Sequence, residues 1–507
     1  IYNSAVISNT AEECDGCNNR ATGTISIKDD NTSSEIYGMY NSSENNIYNS
    51  FSFGTGQGAT KNGSEGSIII TKSETSSGNI MGMQGGKNLY NAYANTSDGV
   101  NTNVRAVGKI NITHNGYGDV IGIRGTNSAG KINNALAYLN SAVSDAVAEG
   151  SIVLSGKGNV YGIYGNGTIA NSETQFNKNY NMLKDFSSHG VIDVTTRSDT
   201  AAAYGIYAAG AKDTKTSVYN AMGYNSTGDI KVRNTSGGSA FGIYSAAQTY
   251  TGDDDVVYYN NTYNAFRSSA IYGDSVATGN IDMTIEGYSS LGQQVAGIYA
   301  AGNAFNSYAN SGSDVMLETI GNITINDKSE TGNMNLRGIE SNGATIANAY
   351  STGQNQNTAT KVTGNINVNI LATKNGLSTA SGIFSDSINP QGTKIYNAAL
   401  VNDKNNVEGN ITVNASSGRA PNRMYGIYAT SYKTGENAED AQPKTVYNAY
   451  YENGSDVAEG KVRGNINVIA KNATTNSMGE YYGIYVQDGA AYNAYSSNAN
   501  ADVIGTI

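Results

Sequence analysis

The sequence predicts an all-β fold: one continuous parallel β-solenoid over residues 1–507, with three short strands per turn and about eleven turns. Two internal observations predict it. A Gly-x-Ile-x-(Ile/Val) element begins at Gly23, Gly66, Gly108, Gly150, Gly190, Gly228, Gly279, Gly321, Gly364 and Gly409, then at Gly464 and, truncated, at Gly505, a period of about 44 residues. Two further short elements recur between successive copies, always in the same cyclic order. A third observation is compositional. Charged residues are 14% of the chain, and Gly reaches 61 of 507 with only 3 Pro, while 37 Tyr keep aromatic content high. A disordered chain lacks aromatic and β-branched residues, so this one is expected to fold.

The Gly-x-Ile element is A. Ile366 and Val368 share one face of its strand, and Asn365 and Asn367 share the other, because side chains alternate along a strand. Its third position is Ile in every copy, from Ile25 to Ile507. Element B is clearest at Tyr161-Gly162-Ile163-Tyr164. Element C is clearest at Leu89-Tyr90-Asn91-Ala92-Tyr93. Its Asn recurs at Asn3, Asn49, Asn91, Asn134, Asn171, Asn220, Asn264, Asn306, Asn348, Asn397, Asn448 and Asn493, always followed by Ala or Ser. Each element reads as a strand of about five residues bounded by Gly, Asn and Ser. One unit cannot cover its apolar face alone; stacked units place Ile on Ile in a continuous core. At ~4.8 Å per strand the rod would be roughly 50 Å long.

The remaining residues of each turn are expected to be loops. The spacing between A glycines is 51 residues from Gly228 and 55 from Gly409, against 38 to 45 elsewhere. The excess lies between B and C, at 245–262 and 429–445, and a regular excursion such as Ala94 to Val107 follows C. All three prolines, Pro390, Pro421 and Pro443, fall in such loops. Variable loops on a constant scaffold are where binding concentrates.

The cycle Thr168-Ile169-Ala170-Asn171-Ser172, then Gly190-Val191-Ile192-Asp193-Val194, then Tyr204-Gly205-Ile206-Tyr207 resembles the passenger domains of bacterial autotransporters, the type V secreted proteins. The resemblance covers essentially the whole chain. It implies a right-handed parallel β-helix on a bacterial outer surface, often an adhesin. About twelve more residues than in those passengers separate C from the next A.

Charge narrows the function further. Net charge is −11 and the pI near 4.8, which argues against electrostatic nucleic-acid binding. No apolar run approaches the ~18 residues of a spanning helix. The chain starts at Ile1 with no charged-then-apolar leader, which reads as residues missing or processed. It begins in the Ile1-Tyr2-Asn3 copy of C and stops in A at Gly505-Thr506-Ile507. Neither end is a polar capping unit, so the chain is expected either to be a segment of a longer array whose neighbouring turns cap it or to stack end to end.

The Asn column could line a polar groove; side chains hydrogen-bonded up the solenoid are the favoured reading. In B, Ile163 must face inward, so Tyr164 faces outward. With Tyr40, Tyr207, Tyr244, Tyr299, Phe384, Tyr428 and Tyr485 it would form an aromatic stripe; cross-strand stacking of the rings beneath the loops is the favoured reading, and stacking on a protein or sugar surface the alternative. Gln84, Arg124 and Glu340 at the same place in other turns argue for exposure. Cys14-Asp15-Gly16-Cys17 has the spacing of a redox or zinc motif, but a zinc site needs a second pair; a local disulfide between Cys14 and Cys17 is favoured over free thiols. Asp253-Asp254-Asp255 reads as a solvated acidic loop rather than a calcium or acid-catalytic site. The two histidines, His114 and His189, are too far apart to serve one nucleophile, and no Gly-x-Ser-x-Gly elbow with a His to serve it is present. Asp193, Asp229 and Asp282 on three successive A elements, with Lys231 between two of them, read as a charge ladder rather than a hydrolase site. No catalysis, cofactor or metal is expected. The expected role is an extracellular, cell-surface adhesin with a protein or glycan partner. A filament or coat subunit that partners with itself is the alternative, and a polysaccharide-degrading enzyme the second.

Overall fold

Three parallel β-sheets, each of twelve strands, run the length of the computed structural model, and no helix occurs among the described residues. The described residues are all except 1, 4–6, 12–18, 31–33, 43–44, 55–59, 74–76, 97–101, 127–129, 141–143, 177–185, 211–214, 247–248, 252–256, 269–274, 289–291, 312–316, 331–333, 354–359, 373–378, 387–391, 403–404, 416–422, 432–442, 454–459, 472–478 and 498–500. Each sheet gathers one element: B from Tyr2–Asn3 to Glu480–Gln487, C from Ile7–Ala11 to Gly489–Ser496, and A from Asn19–Asp29 to Asp502–Thr506. Every strand pairs with its counterpart one turn away, so the A isoleucines stack in register, Ile281 on Ile323 on Ile366. The chain is a parallel β-solenoid.

The first turn corrects the sequence register. Tyr2 pairs with Tyr40, which places Asn3 in sheet B rather than C. Sheet C starts instead at Ile7, paired with Ile47, and Asn9 falls at the register irregularity between Ser8 and Thr10, opposite the Asn49 corner. The Ile-x-Asn signature occurs twice within nine residues, and only pairing with the next turn decides between the copies. Each sheet therefore has twelve strands, one more than the expected number of turns.

The excursion after C is not a loop. Strand C runs on to Thr96 and strand A begins at Thr102, leaving only 97–101 between them. Thr102–His114 alternates buried and outward residues along its whole length, as a strand with one covered face must. Its first half faces the tail of C. Ala92, Ala94, Val104 and Ala106 belong to one buried cluster, and Ala349, Val362, Ala398 and Val407 to another farther along the rod. Ser50 and Ser64 hydroxyls meet at 2.6 Å across this layer, Ser172 and Ser188 at 2.7 Å, and Ser307 and Thr319 at 2.9 Å. Small side chains let the two sheets approach closely. The result is a thin fin whose buried clusters are distinct from the main core of A, B and C aliphatics, and it accounts for the extra residues between C and A.

Two positions bend the strands. Pairing in B skips the glycine: Tyr161 pairs with Tyr204 and Ile163 with Ile206. Val160 and Ile163 are therefore both fully buried, while Tyr161 and Tyr164 both stand on the outer face. A Cβ on Gly82 would lie 2.7 Å from Ile110 Cγ2 and 2.6 Å from the Gly122 carbonyl oxygen. In C the Asn is skipped in the same way. The A glycine packs against that corner: a Cβ on Gly66 would lie 1.9 Å from the Asn49 carbonyl oxygen. The Gly of A, the Asn of C, the Gly of B and the invariant Ile of A are thus one interlocked cross-section.

The insertion at 245–262 carries its own antiparallel hairpin, Thr249–Thr251 with Val257–Tyr259, and Tyr250 stacks on Tyr258 with centroids 5.6 Å apart. Asp253 to Asp255 lie outside the described residues, as do Cys14, Cys17, Pro390 and Pro421.

Candidate functional site

The Asn column is buried at the C corner. Ten amide-to-amide hydrogen bonds of 2.8–2.9 Å link Asn49, Asn91, Asn134, Asn171, Asn220, Asn264, Asn306, Asn348, Asn397, Asn448 and Asn493 in order. Each Nδ2 also reaches the carbonyl of the A glycine in its own turn, as Asn306 does to Gly321 at 2.8 Å. From Asn49 to Asn448 it reaches a carbonyl of the following turn as well, as Asn306 does to Asn365 at 3.2 Å. These amides are spent on the scaffold, which leaves no polar groove at this corner. A second Asn ladder, absent from the sequence reading, runs up the outer face of A: Asn322 Nδ2 to Asn280 Oδ1 and Asn365 Nδ2 to Asn322 Oδ1, both 2.8 Å, then Asn410 and Asn465.

The aromatic stripe of B stands where expected but is half-buried, not exposed. Tyr164, Tyr207, Tyr244 and Tyr299 stack at 5.1, 4.9 and 4.5 Å, and Phe384, Tyr428 and Tyr485 at 4.9 and 5.2 Å. Tyr40 packs on Tyr37. Phe384 is buried, and so are Gln84 and Glu340, which overturns the argument for exposure drawn from those positions. The physical cause is the glycine bend. It puts a second column, Tyr161, Tyr204 and Phe241, beside the first, so each ring is covered from two sides. Glu340 pairs with Arg337, whose guanidinium lies 3.5 Å over the Phe384 ring. Burial pushes the Glu340 carboxyl pKa up against the pull of Arg337.

Sheet C carries another double column that the sequence reading missed, flanking the Asn. Tyr219, Tyr263 and Phe305 stack at 5.2 and 5.1 Å, and Phe266, Tyr308 and Tyr350 at 5.5 and 5.6 Å. The signal was present: Tyr precedes the C-element Asn in many turns. Burial raises the phenol pKa of Tyr161 and Tyr308 above the usual value.

Among the acidic candidates, Asp193, Lys231 and Asp282 are paired positions on consecutive strands. Asp229 sits one row away, where it accepts from His189 Nε2 at 2.8 Å and from Asn280 Nδ2 at 2.7 Å. The His189 contact holds the Asp229 carboxyl below its usual pKa and raises that of the imidazole. His114 lies at the inner end of its A strand, fully buried, and burial lowers its pKa. The structure does not bring the two histidines together. Among the described residues, no three His, Cys, Asp or Glu side chains are grouped to hold a metal ion.

Comparison with protein-family models, with curated proteins and with solved structures finds no match to this chain.

Proposed function

We propose that this protein is a non-enzymatic extracellular rod of the adhesin-like kind, which presents its corners to a surface partner. The observation that carries this reading is the division of labour along the chain. The repeated residues hold turn to turn: Asn to Asn, Gly against Asn, Ile against Gly and ring on ring. The largest differences in length fall in the connections, such as the three residues 157–159 against the hairpin-bearing 245–262. A scaffold that satisfies itself leaves the connections as the parts free to differ in chemistry. The resemblance of the repeat to autotransporter passengers supports a bacterial surface location.

The test is attachment. Beads coated with the rod are passed over immobilised cells, matrix proteins and glycans, while a polysaccharide panel is assayed for new reducing ends. Retention without cleavage is the expected result. Release of reducing ends, or no retention on any surface, overturns the reading.

A further inference from the structure

We propose that a cleft at the A-to-B corner binds a neutral oligosaccharide chain laid along the rod; this rests on the attachment reading above. The cleft, of about 840 Å³, is formed by the connections that follow five successive A strands, from Thr102–His114 to Ser275–Ile285. Its shape follows from their lengths. The connection after Asp145–Gly156 has only the three residues 157–159, while those on either side, 115–119 and 197–202, are longer. The short one makes the floor.

Two tyrosines stand at its ends. Tyr117 is 75% exposed and Tyr288 65%, the two most exposed large apolar or aromatic side chains among the described residues. The rings of the aromatic columns on sheets B and C stack on one another, and none is more than 40% exposed. Neither Tyr117 nor Tyr288 stacks on another ring; Tyr117 has only the Lys157 ammonium 5.7 Å from its centroid. Both rings line the same cleft. Four strand spacings separate them, roughly 19 Å along the axis. A small ligand cannot reach both rings; an extended chain can.

Between the rings the cleft is polar and its groups are already held in place. Asp119 Oδ1 accepts from the backbone and side-chain N–H groups of Asn159, both at 3.1 Å. The Arg197 guanidinium is held by the His114 carbonyl at 3.2 Å and Asn115 Oδ1 at 3.0 Å. Ser198 Oγ accepts the N–H groups of Thr200 and Ala201. Asp119 and Asp199 balance Lys157 and Arg197, so the lining carries no net charge and does not select an anion. An added peptide strand would need unpaired backbone groups, but these are engaged: Arg197, Thr235 and Glu286 N–H groups each donate to a carbonyl of the preceding turn at 2.8–3.1 Å. Flat apolar faces alternating with hydroxyl edges are the chemistry that fits two exposed rings joined by a fixed row of donors and acceptors, and sugars have it.

The test is calorimetric titration of the whole rod with neutral hexose oligomers of increasing length, with a matched anionic series and an unstructured peptide as comparisons. Affinity should rise with chain length until both rings are covered. Tyr117→Ala and Tyr288→Ala should each weaken binding about tenfold or more, and Tyr288→Phe should keep it. Both rings are in solvent, so thermal unfolding should not move. The proposal is overturned if the wild type binds none of the neutral oligomers, prefers the anionic series or the peptide, or binds equally well with both rings removed. If the rod attaches to surfaces but these substitutions change nothing, the cleft fails and the attachment reading stands. If oligosaccharide binds in solution but no surface retains the rod, the reverse holds.

Discussion

Asn306→Ala separates a buried amide ladder from a half-buried one made of the same bonds. Asn306 is fully buried and takes part in four hydrogen bonds: its Nδ2 donates to Gly321 O at 2.8 Å, Asn348 Oδ1 at 2.9 Å and Asn365 O at 3.2 Å, and its Oδ1 accepts from Asn264 at 2.8 Å. Truncation removes all four and leaves their partners without water. A buried group stripped of its partner costs about 1–3 kcal/mol, and a net bond about 1 kcal/mol, so a loss of about 3–5 kcal/mol is expected after partial relaxation. Asn322 on the outer ladder gives the control. It has amide bonds of the same 2.8 Å to Asn280 and from Asn365, but it is only half-buried, so water replaces what Asn322→Ala removes. That variant should cost about 1 kcal/mol or less. Urea unfolding of both variants, with amide exchange across the neighbouring turns, measures the difference. Equal losses would refute the argument that burial, not the amide bond itself, makes the inner ladder hold the rod.

Ile323→Asp buries a charge between Ile281 and Ile366, and the loss of several kcal/mol should show as a lowered melting temperature and spread to adjacent turns. Unfolding in EDTA should match that in buffer; a large drop would point first to Asp253, Asp254 and Asp255. Asp327 is buried with Oδ2 lacking a hydrogen-bond partner, and burial raises its carboxyl pKa. Its folded pKa lies above the unfolded one, so its contribution is fully present below the unfolded carboxyl pKa and is lost as pH rises through the folded value; Asp327→Asn should therefore gain stability over wild type at neutral pH, and the gain should shrink on acidification.

The solenoid was legible because its signals are local and repeated. Gly-x-Ile-x-Val alternates with period 2, and a twelvefold repeat overrides any single exception. The fin was not legible, because its inward residues are Ala, Ser and Thr. Thr102, Val104 and Ala106 alternate with Asn103, Arg105 and Val107, but without large aliphatics the stretch reads as a polar connection. The aromatic stripe was placed on the correct face of B, and its burial was misjudged for one reason: strict alternation puts Tyr161 inside with Ile163. Only the skipped glycine turns Tyr161 out to cover Tyr164. The Asn3 register failed because short motifs carry no pairing information. The A-to-B cleft was invisible for the opposite reason: Tyr117 and Tyr288 lie 171 residues apart in short connections that match no repeat, and stacking alone brings them to one groove.

The same stacking gives a reason to look for the proposed recognition at the corners rather than on the sheets. A residue on a sheet has a counterpart directly above and below, so a substitution there disturbs two neighbours as well as its own turn. The Tyr207 ring, packed on Tyr164 and Tyr244 at 5.1 and 4.9 Å, cannot change without exposing both. The Tyr117 ring stacks on no neighbour, and its only ring contact is the Lys157 ammonium, so it can be replaced at little cost to stability. Chemistry that must vary with a partner can therefore occupy the connections while the ladders stay fixed. The cost of change at a position should thus fall with the number of turns its side chain touches, being highest for the Asn306 amide and lowest for the Tyr117 ring.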